Sequence, residues 1–383
     1  MSPDRIPCQR HLFGIPDDVS FLNCAYMSPQ LVAVSQAGRE AAGLKEEPWR
    51  VVEEHWFERV EGARDRFARI IGASANDIAM VPSASYGIGT AAQNCPIDSN
   101  QTIVLIAEQF PSCVYPWVRR AEATGAEIIT VPRPADHDWT SRILEHIDER
   151  CAVVTLPAFH WADGGRIDLV RIGREARAVG ARLVLDLSQS AGASPIDVQE
   201  VDPDWLCAPT YKWLMGPYSM GFLYVAPRNH DGRPLEEGWI VRHGSDDFSR
   251  LVDYEDRYRE GARRYDVGER SNFVLVPMVN AALDQVLDWG VERIAATLRE
   301  TTNRIAAIAA ESGFETAPEA LRAPHFLGLT PGRDGGLPEE IVAGFRDRGV
   351  YLGKRGNALR LAPHLHVNEQ DLERFANALS SLV

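Results

Sequence analysis

Apolar residues recur at helical spacing over PWRVVEEHWFERVEGARDRFARIIG (residues 48–72), which predicts an amphipathic helix stopped by Gly72. The next segment, DIAMVPSASYGIGTAAQN (77–94), reads as a short strand, a small-residue turn and a helix. Beyond it, short and almost uniformly apolar runs alternate with helical stretches. TIVLI opens 102–112, AEIITVPR covers 126–133, CAVVTLPAFHW covers 151–161 and ARLVLDLSQSAG covers 181–192. Between the last two lies the helical pattern DLVRIGREARAVG (168–180). Strands apolar on both faces are expected where helices cover both sides of a sheet. The pattern therefore predicts an α/β fold, a mainly parallel sheet with helices on both faces.

After about residue 275 the pattern changes. NAALDQVLDWGVERIAATLRETTNRIAAIAAESG is a long helical stretch broken near Gly290. HFLGLT, a helix around PEEIVAGFRDRG, the strands VYLGKR and ALRLAP, and a last helix EQDLERFANAL follow. That β-α-β-β-α order suits a small α+β domain. A chain of 383 residues has room for a large domain and a small one. The expected division is an N-terminal arm (1–20), a large domain (21–275), and a helical connection with the small C-terminal domain (276–383).

The composition, 45% hydrophobic and 25% charged, is that of a soluble globular protein and not of a disordered chain. Lys plus Arg number 40 against 54 Asp plus Glu, a net charge of −14. Such a surface repels phosphate backbones and anionic lipid, so neither nucleic acid nor membrane is expected as a partner. No apolar run approaches the roughly 20 residues that span a bilayer. The start, MSPDRIPCQRHLFGIPDD, has no apolar core of a signal peptide. The cysteines at 8, 24, 95, 113, 151 and 207 form no C-x-x-C pair. No metal site is expected, and reduced thiols in the cytoplasm are.

Ligands of parallel sheets bind at the carboxyl ends of the strands. The residues just past the apolar runs are Ser83, Ala84 and Ser85; Glu108, Gln109 and Phe110; His160 and Trp161; Asp186 to Gln189; and Tyr211, Lys212 and Trp213. Asp186 ends a hydrophobic strand. Lys212 follows 26 residues later in Tyr-Lys-Trp-Leu-Met-Gly-Pro, just after the short apolar run Trp205–Ala208. Taken singly, Asp186 reads as a turn cap and Lys212 as a solvated lysine. Together, a carboxylate and an amine at adjacent strand ends suit the two ends of a pyridine cofactor. Pyridoxal phosphate needs a lysine amine for its Schiff base and a carboxylate at its ring nitrogen. An apolar loop would also lower the lysine's pKa, as a nucleophile requires.

The stretch from His160 to Val225 resembles the fold-type I pyridoxal-phosphate enzymes of the class V aminotransferase family. That family includes cysteine desulfurases, C–S lyases, isopenicillin-N-epimerase-like proteins and kynureninases. The likeness rests on Asp-x-x-Gln, a small residue and Gly, then the lysine loop, and it extends from Phe21-Leu22-Asn23 to the C-terminal helix. It implies a seven-stranded large domain, a small C-terminal domain, a pyridoxal-phosphate cofactor and a homodimer with the site at the subunit interface.

The resemblance also implies roles. Lys212 matches the Schiff-base lysine, Asp186 the pyridinium partner and Gln189 the residue at the cofactor's phenolic oxygen. Phe110 stands where the family stacks an aromatic residue or His on the ring; the desulfurases usually have His. Ser83, Ala84 and Ser85 open a helix whose N–H groups would cradle the phosphate. Tyr211 resembles a kynureninase phosphate contact, and Pro209 replaces a serine of the desulfurases. Many relatives add a Gly-Thr phosphate contact from the second subunit. Here the chain reads Gly268-Glu269-Arg270-Ser271-Asn272. Acidic Glu269 cannot hold a phosphate, which leaves Arg270, Ser271 or Asn272. Arg360 matches the arginine for the substrate's α-carboxylate. Asn23, Tyr26, His160 and Trp161 are expected to line the substrate side, with Arg355 a loop charge.

A persulfide-forming desulfurase needs a mobile cysteine before the carboxylate arginine. Residues 352–359 contain none, no cysteine lies beyond Cys207, and Cys113 reads as packing. The expected function is action at the α-carbon of a small amino-acid substrate, by transamination or by β-elimination of the C–S lyase type. An amino-acid epimerase or a kynureninase-like hydrolase is the alternative. A catalytically silent relative should have lost Lys212, Asp186 or Arg360, yet all three are present. A dinucleotide-binding protein would show G-x-G-x-x-G where this chain has Ser-Ala-Ser-Tyr-Gly-Ile-Gly.

Overall fold

Residues 5–332 and 336–382 are described by a computed structural model. Seven strands make the central sheet: β1 (Ile78–Val81), β2 (Thr102–Ile106), β3 (Glu127–Val131), β4 (Cys151–Pro157), β5 (Arg182–Asp186), β6 (Trp205–Pro209) and β7 (Gly221–Val225). Their order is β1-β7-β6-β5-β4-β2-β3, and only β7 runs against its neighbours. The alternation of side chains explains the uniformly apolar runs. Along β2, Ile103 and Leu105 join one buried cluster while Val104 and Ile106 join another on the opposite face.

The helices that position the site are α1 (Val32–Ala42), α2 (Glu53–Ile71), α3 (Ala84–Asn94), α4 (Tyr115–Thr124), α5 (Leu169–Ala178), α6 (Leu275–Trp289), α7 (Val291–Glu311) and α8 (Glu369–Leu382). The α2 helix starts at Glu53, later than its apolar period suggests. Pro48 opens a separate 3₁₀ turn, and the backbone N–H of Val52 then donates to His55 Nδ1 as the new start. It ends at Gly72, whose φ of 71° is left-handed, as the sequence predicts.

The C-terminal part forms an antiparallel sheet of β8 (Phe314–Glu315), β9 (Leu327–Pro331), β10 (Gly353–Arg355) and β11 (Ala358–Leu361), ordered β10-β11-β9-β8. Its core holds Leu329, Phe345, Leu361 and Phe375. Leu22 joins that core, because Ser20–Phe21 pairs in parallel with Val350–Tyr351. Thus the N-terminal segment is strapped to the small domain at Ser20–Leu22 before Cys24 and Ala25 enter the large core. Both α6 and the first half of α7 pack in the large core, whereas Ile305 and Ala309 of α7 pack in the small one.

One buried ionic cluster ties the chain after β7 to β1. Asp266 accepts from Arg64 at 2.9 and 2.5 Å and from the backbone N–H of Met80 at 2.8 Å. Among the described residues, no helix is long and apolar enough to cross a membrane. Nor do three His, Cys, Asp or Glu residues gather in a set that could hold a metal.

Candidate active site

Asp186 and Lys212 come together at the carboxyl ends of neighbouring strands β5 and β6. Asp186 is buried, and both its oxygens are engaged. Oδ1 accepts from the backbone N–H of Ser188 at 2.9 Å and from the Ser188 hydroxyl. Oδ2 accepts from the Cys113 thiol at 3.0 Å. Two segments must touch to build this corner. Gly192 has φ 93°, and a Cβ there would lie 2.6 Å from the Trp213 carbonyl oxygen, so only glycine lets them meet. The lysine loop itself carries left-handed non-glycine residues, Met215 (φ 56°) and Ser219 (φ 66°). Such strain concentrates where function over-determines the backbone.

Lys212 Nζ lies 5.8 Å from the Phe110 ring centroid and 5.5 Å from that of Tyr211. Burial pushes its pKa down to about 8, against the pull of Asp186 and with the help of Arg360. Gln189 clamps the corner. Its Nε2 donates to the Ala25 carbonyl at 2.9 Å, and its Oε1 accepts from Trp213 Nε1 at 3.0 Å. One Nε2 hydrogen remains for a further acceptor.

At the α3 N-terminus, Ser83 Oγ accepts from the Tyr86 N–H at 3.2 Å and lies 2.9 Å from Ser85 Oγ. Ala84 begins the helix. The first-turn N–H groups and the two hydroxyls form a partly exposed anion cradle. Burial pushes the Tyr211 phenol up to about 12, so it is a neutral donor at pH 7. Of the Gly268–Asn272 segment, Arg270 and Ser271 turn inward. Arg270 Nε lies 3.0 Å from Asp266 Oδ2, and the Ser271 hydroxyl donates to the Trp56 carbonyl at 2.5 Å. Asn272 is exposed and caps α6, its Oδ1 accepting from the N–H groups of Val274 and Leu275.

On the other side, Arg360 of β11 is buried. Its Nη1 donates to the Trp161 carbonyl at 2.8 Å, while Nε and Nη2 have no hydrogen-bond partner. Burial and the neighbouring Arg355 pull its pKa down to about 9. A buried cation with unpaired donors calls for an anion. Trp161 links the two halves of the site. Its Nε1 donates to the Glu108 carbonyl at 2.7 Å, and its ring meets Phe110 edge-on at 5.6 Å. Asn23 offers a buried, unpaired Oδ1, and Tyr26 stands exposed nearby.

His160 departs from its expected place. Its ring is fully buried, stacked on Trp139 at 5.2 Å, with Nδ1 3.3 Å from Asp163 and Nε2 3.3 Å from the Ala107 carbonyl. It supports the turn that carries Trp161 and does not face the opening. Two contacts were missed. Cys113, read as packing, holds Asp186 across 73 residues of sequence, which no local pattern reveals. His325 Nε2 lies 2.5 Å from the Gln189 carbonyl, and burial pushes its pKa down to about 3, so it is neutral.

Over 328 residues the chain is 28% identical to the uncharacterized aminotransferase YcbU of Bacillus subtilis, covering 85% of this chain and 84% of that protein. In fold it is similar to the apo cysteine desulfurase of Thermococcus onnurineus NA1, with TM-score 0.84 and 19% identity over 100% of this chain and 99% of that one. It is also similar to a lysine-to-alanine variant of C-DES that carries glycine covalently linked to the pyridoxal-phosphate cofactor. There the TM-score is 0.86 and the identity 18%, over the whole of both chains. The profile of the family described as Aminotransferase class-V matches residues 42–326, and the chain belongs to that family.

Proposed function

We propose that this chain binds pyridoxal phosphate and acts at the α-carbon of an amino acid, by transamination or β-elimination. One observation carries the reading: the buried Lys212 amine, lowered to about 8, beside the buried carboxylate of Asp186 at adjacent strand ends. The cofactor bound to the similarly folded C-DES supports the same ligand here. So do the anion cradle at Ser83, Ala84 and Ser85 and the spare hydrogen of Gln189.

Bound in this site, the cofactor supplies an electron sink for charge developing at the substrate's α-carbon. The protein supplies the rest. Asp186, held in place by Ser188 and Cys113, would be the carboxylate that pairs with the heterocycle's nitrogen. Phe110 offers a ring face. Lys212 is partly unprotonated near neutral pH, so it serves as nucleophile and, when free, as base for the α-proton. Arg360 forks onto the α-carboxylate, which fixes the orientation of the α-carbon. Tyr26, Asn23 and Trp161 shape the entrance.

The cysteines argue against a sulfur-accepting nucleophile. Cys24, Cys95, Cys113, Cys151 and Cys207 are buried, with thiol pKa values raised by desolvation. Exposed Cys8 sits on the N-terminal segment, near the His366 carbonyl.

We infer a homodimer with the site at its interface, in which Asn272 reaches the partner's phosphate cradle. Exposed Trp49, Val52, Trp239, Val252 and Tyr254 support an apolar contact surface. The cofactor domain of this reading is 21–275, with 276–383 as connection and small domain; residues 1–4 of the arm lie outside the described residues. The test is a panel of amino acids titrated into purified protein, with visible spectra and assays for keto acid, pyruvate, sulfide and ammonia. Spectra unchanged by every amino acid would end the reading.

A further inference from the structure

The β10–β11 hairpin brings a second arginine to the substrate side. Gly353 lies opposite Arg360 in the antiparallel register, and Arg355 is two residues along on the same face. The missing side chain of Gly353 opens a small polar space. A Cβ there would sit 3.3 Å from Asn23 Oδ1, 3.7 Å from Arg355 Nη1 and 3.9 Å from Arg360 Nε. Both guanidiniums also lie against one indole, with Arg355 Cζ 5.5 Å and Arg360 Cζ 6.0 Å from the Trp161 ring centroid.

The charges in this space do not balance. Neither arginine has a carboxylate within 4.0 Å among the described residues, although most ion pairs of this acidic chain do engage arginine. Arg355 Nη1 donates to its neighbour's carbonyl, that of Lys354, at 2.7 Å. Arg355 is half-buried, and its charge is felt by both Arg360 and Lys212. An α-carboxylate carries one negative charge and satisfies Arg360. That leaves Arg355 a partly desolvated cation facing the same pocket. An uncharged substrate side chain would leave it unpaired at a cost.

We propose that Arg355 forms a distal subsite for a second anionic group, so that the preferred substrate is an amino acid whose side chain ends in a carboxylate or a sulfur oxyacid. The proposal rests on the reading of Arg360 as the α-carboxylate site. Arg360 and Arg355 border the Gly353 space from two positions of the hairpin, so an α-carboxylate on one leaves the other for the second anion. Tyr26, whose phenol is close enough to act on Arg355, borders the distal group.

The experiment titrates holoenzyme with L-aspartate and L-glutamate, and with L-asparagine and L-glutamine as uncharged counterparts. The cofactor's visible absorption reports binding for wild type, Arg355→Gln, Arg355→Lys and Arg360→Lys. Calorimetry with succinate and butyrate gives a readout independent of turnover. Wild type should prefer the anionic member of each pair by at least about tenfold, the lower bound for a charged hydrogen bond. Arg355→Gln should erase that preference with little change for the uncharged ligands, which also report intact folding. Arg355→Lys should keep part of it. Equal losses for both classes on Arg355→Gln would make Arg355 a second holder of the α-carboxylate and overturn the subsite, as would equal binding of both classes to wild type. The parent reading fails differently: Arg360→Lys would then weaken neither class, or wild type would respond to no amino acid.

Discussion

Replacing Lys212 with methionine should make the cofactor-free protein more stable at pH 7. The ammonium is buried beside Phe110 and Tyr211, and its pKa falls from 10.5 to about 8. Unfolded, the same amine titrates near its ordinary value of about 10.4. Between about pH 8 and 10.4 the unfolded chain therefore holds a proton that the folded chain lacks, so stability rises with pH across that window. Below about pH 8 both states are protonated and the penalty is complete. A gap of about 2.5 pH units, at about 1.4 kcal/mol each, puts it near 3 kcal/mol. Methionine is of similar length, uncharged and adaptable in packing. The assay is urea unfolding of cofactor-stripped wild type and Lys212→Met at pH 7 and pH 10, followed by circular dichroism. The variant should be more stable by up to about 3 kcal/mol at pH 7, and the difference should shrink toward zero by about pH 10.5. Equal stabilities at pH 7, or a difference independent of pH, would refute the argument by showing that the folded amine is solvated.

Three further outcomes follow from the same geometry. Arg360→Lys should keep the cofactor but lose about 10- to 150-fold in amino-acid affinity, the loss of a charged hydrogen bond, while the decarboxylated amine is barely affected in parallel titrations. Asp186→Asn keeps the shape of the corner and should lower turnover by orders of magnitude with an unchanged circular dichroism spectrum; a near-normal rate would make the carboxylate structural. Asp266→Ala, remote from the lysine, strands the buried Arg64 and Arg270 guanidiniums, and should cost about 3–5 kcal/mol in urea unfolding of the apoprotein.

The chemistry-bearing pair was legible because strand ends are marked by local pattern. Asp186 ends an apolar run, Ser83 precedes a helix, and a lysine among aromatics in a tight turn announces itself. Gly72 and Gly290 marked helix ends, since a left-handed residue there is a local requirement. The start of α2 was misplaced because the apolar period continues through Pro48, while the backbone does not. The antiparallel β7, GFLYV, was not singled out, since a short apolar run alone carries no direction.

Direction, pairing and approach belong to the tertiary structure. The sequence alone determined that helices would cover both faces of a mainly parallel sheet, and that a carboxylate and an amine would stand at its strand ends. It also singled out Arg360, through resemblance. Only the fold decided that the Cys113 thiol donates to Asp186, that His160 is buried against Trp139 instead of facing substrate, and that Arg355 stands beside Arg360 over the space at Gly353. The physical reason is range. Periodicity and capping act within a few residues, whereas Cys113 meets Asp186 across 73 residues and His160 meets Trp139 from another segment, partners chosen by strand order; even within the β10–β11 hairpin, the register that sets Gly353 opposite Arg360 is fixed by pairing and not by local pattern.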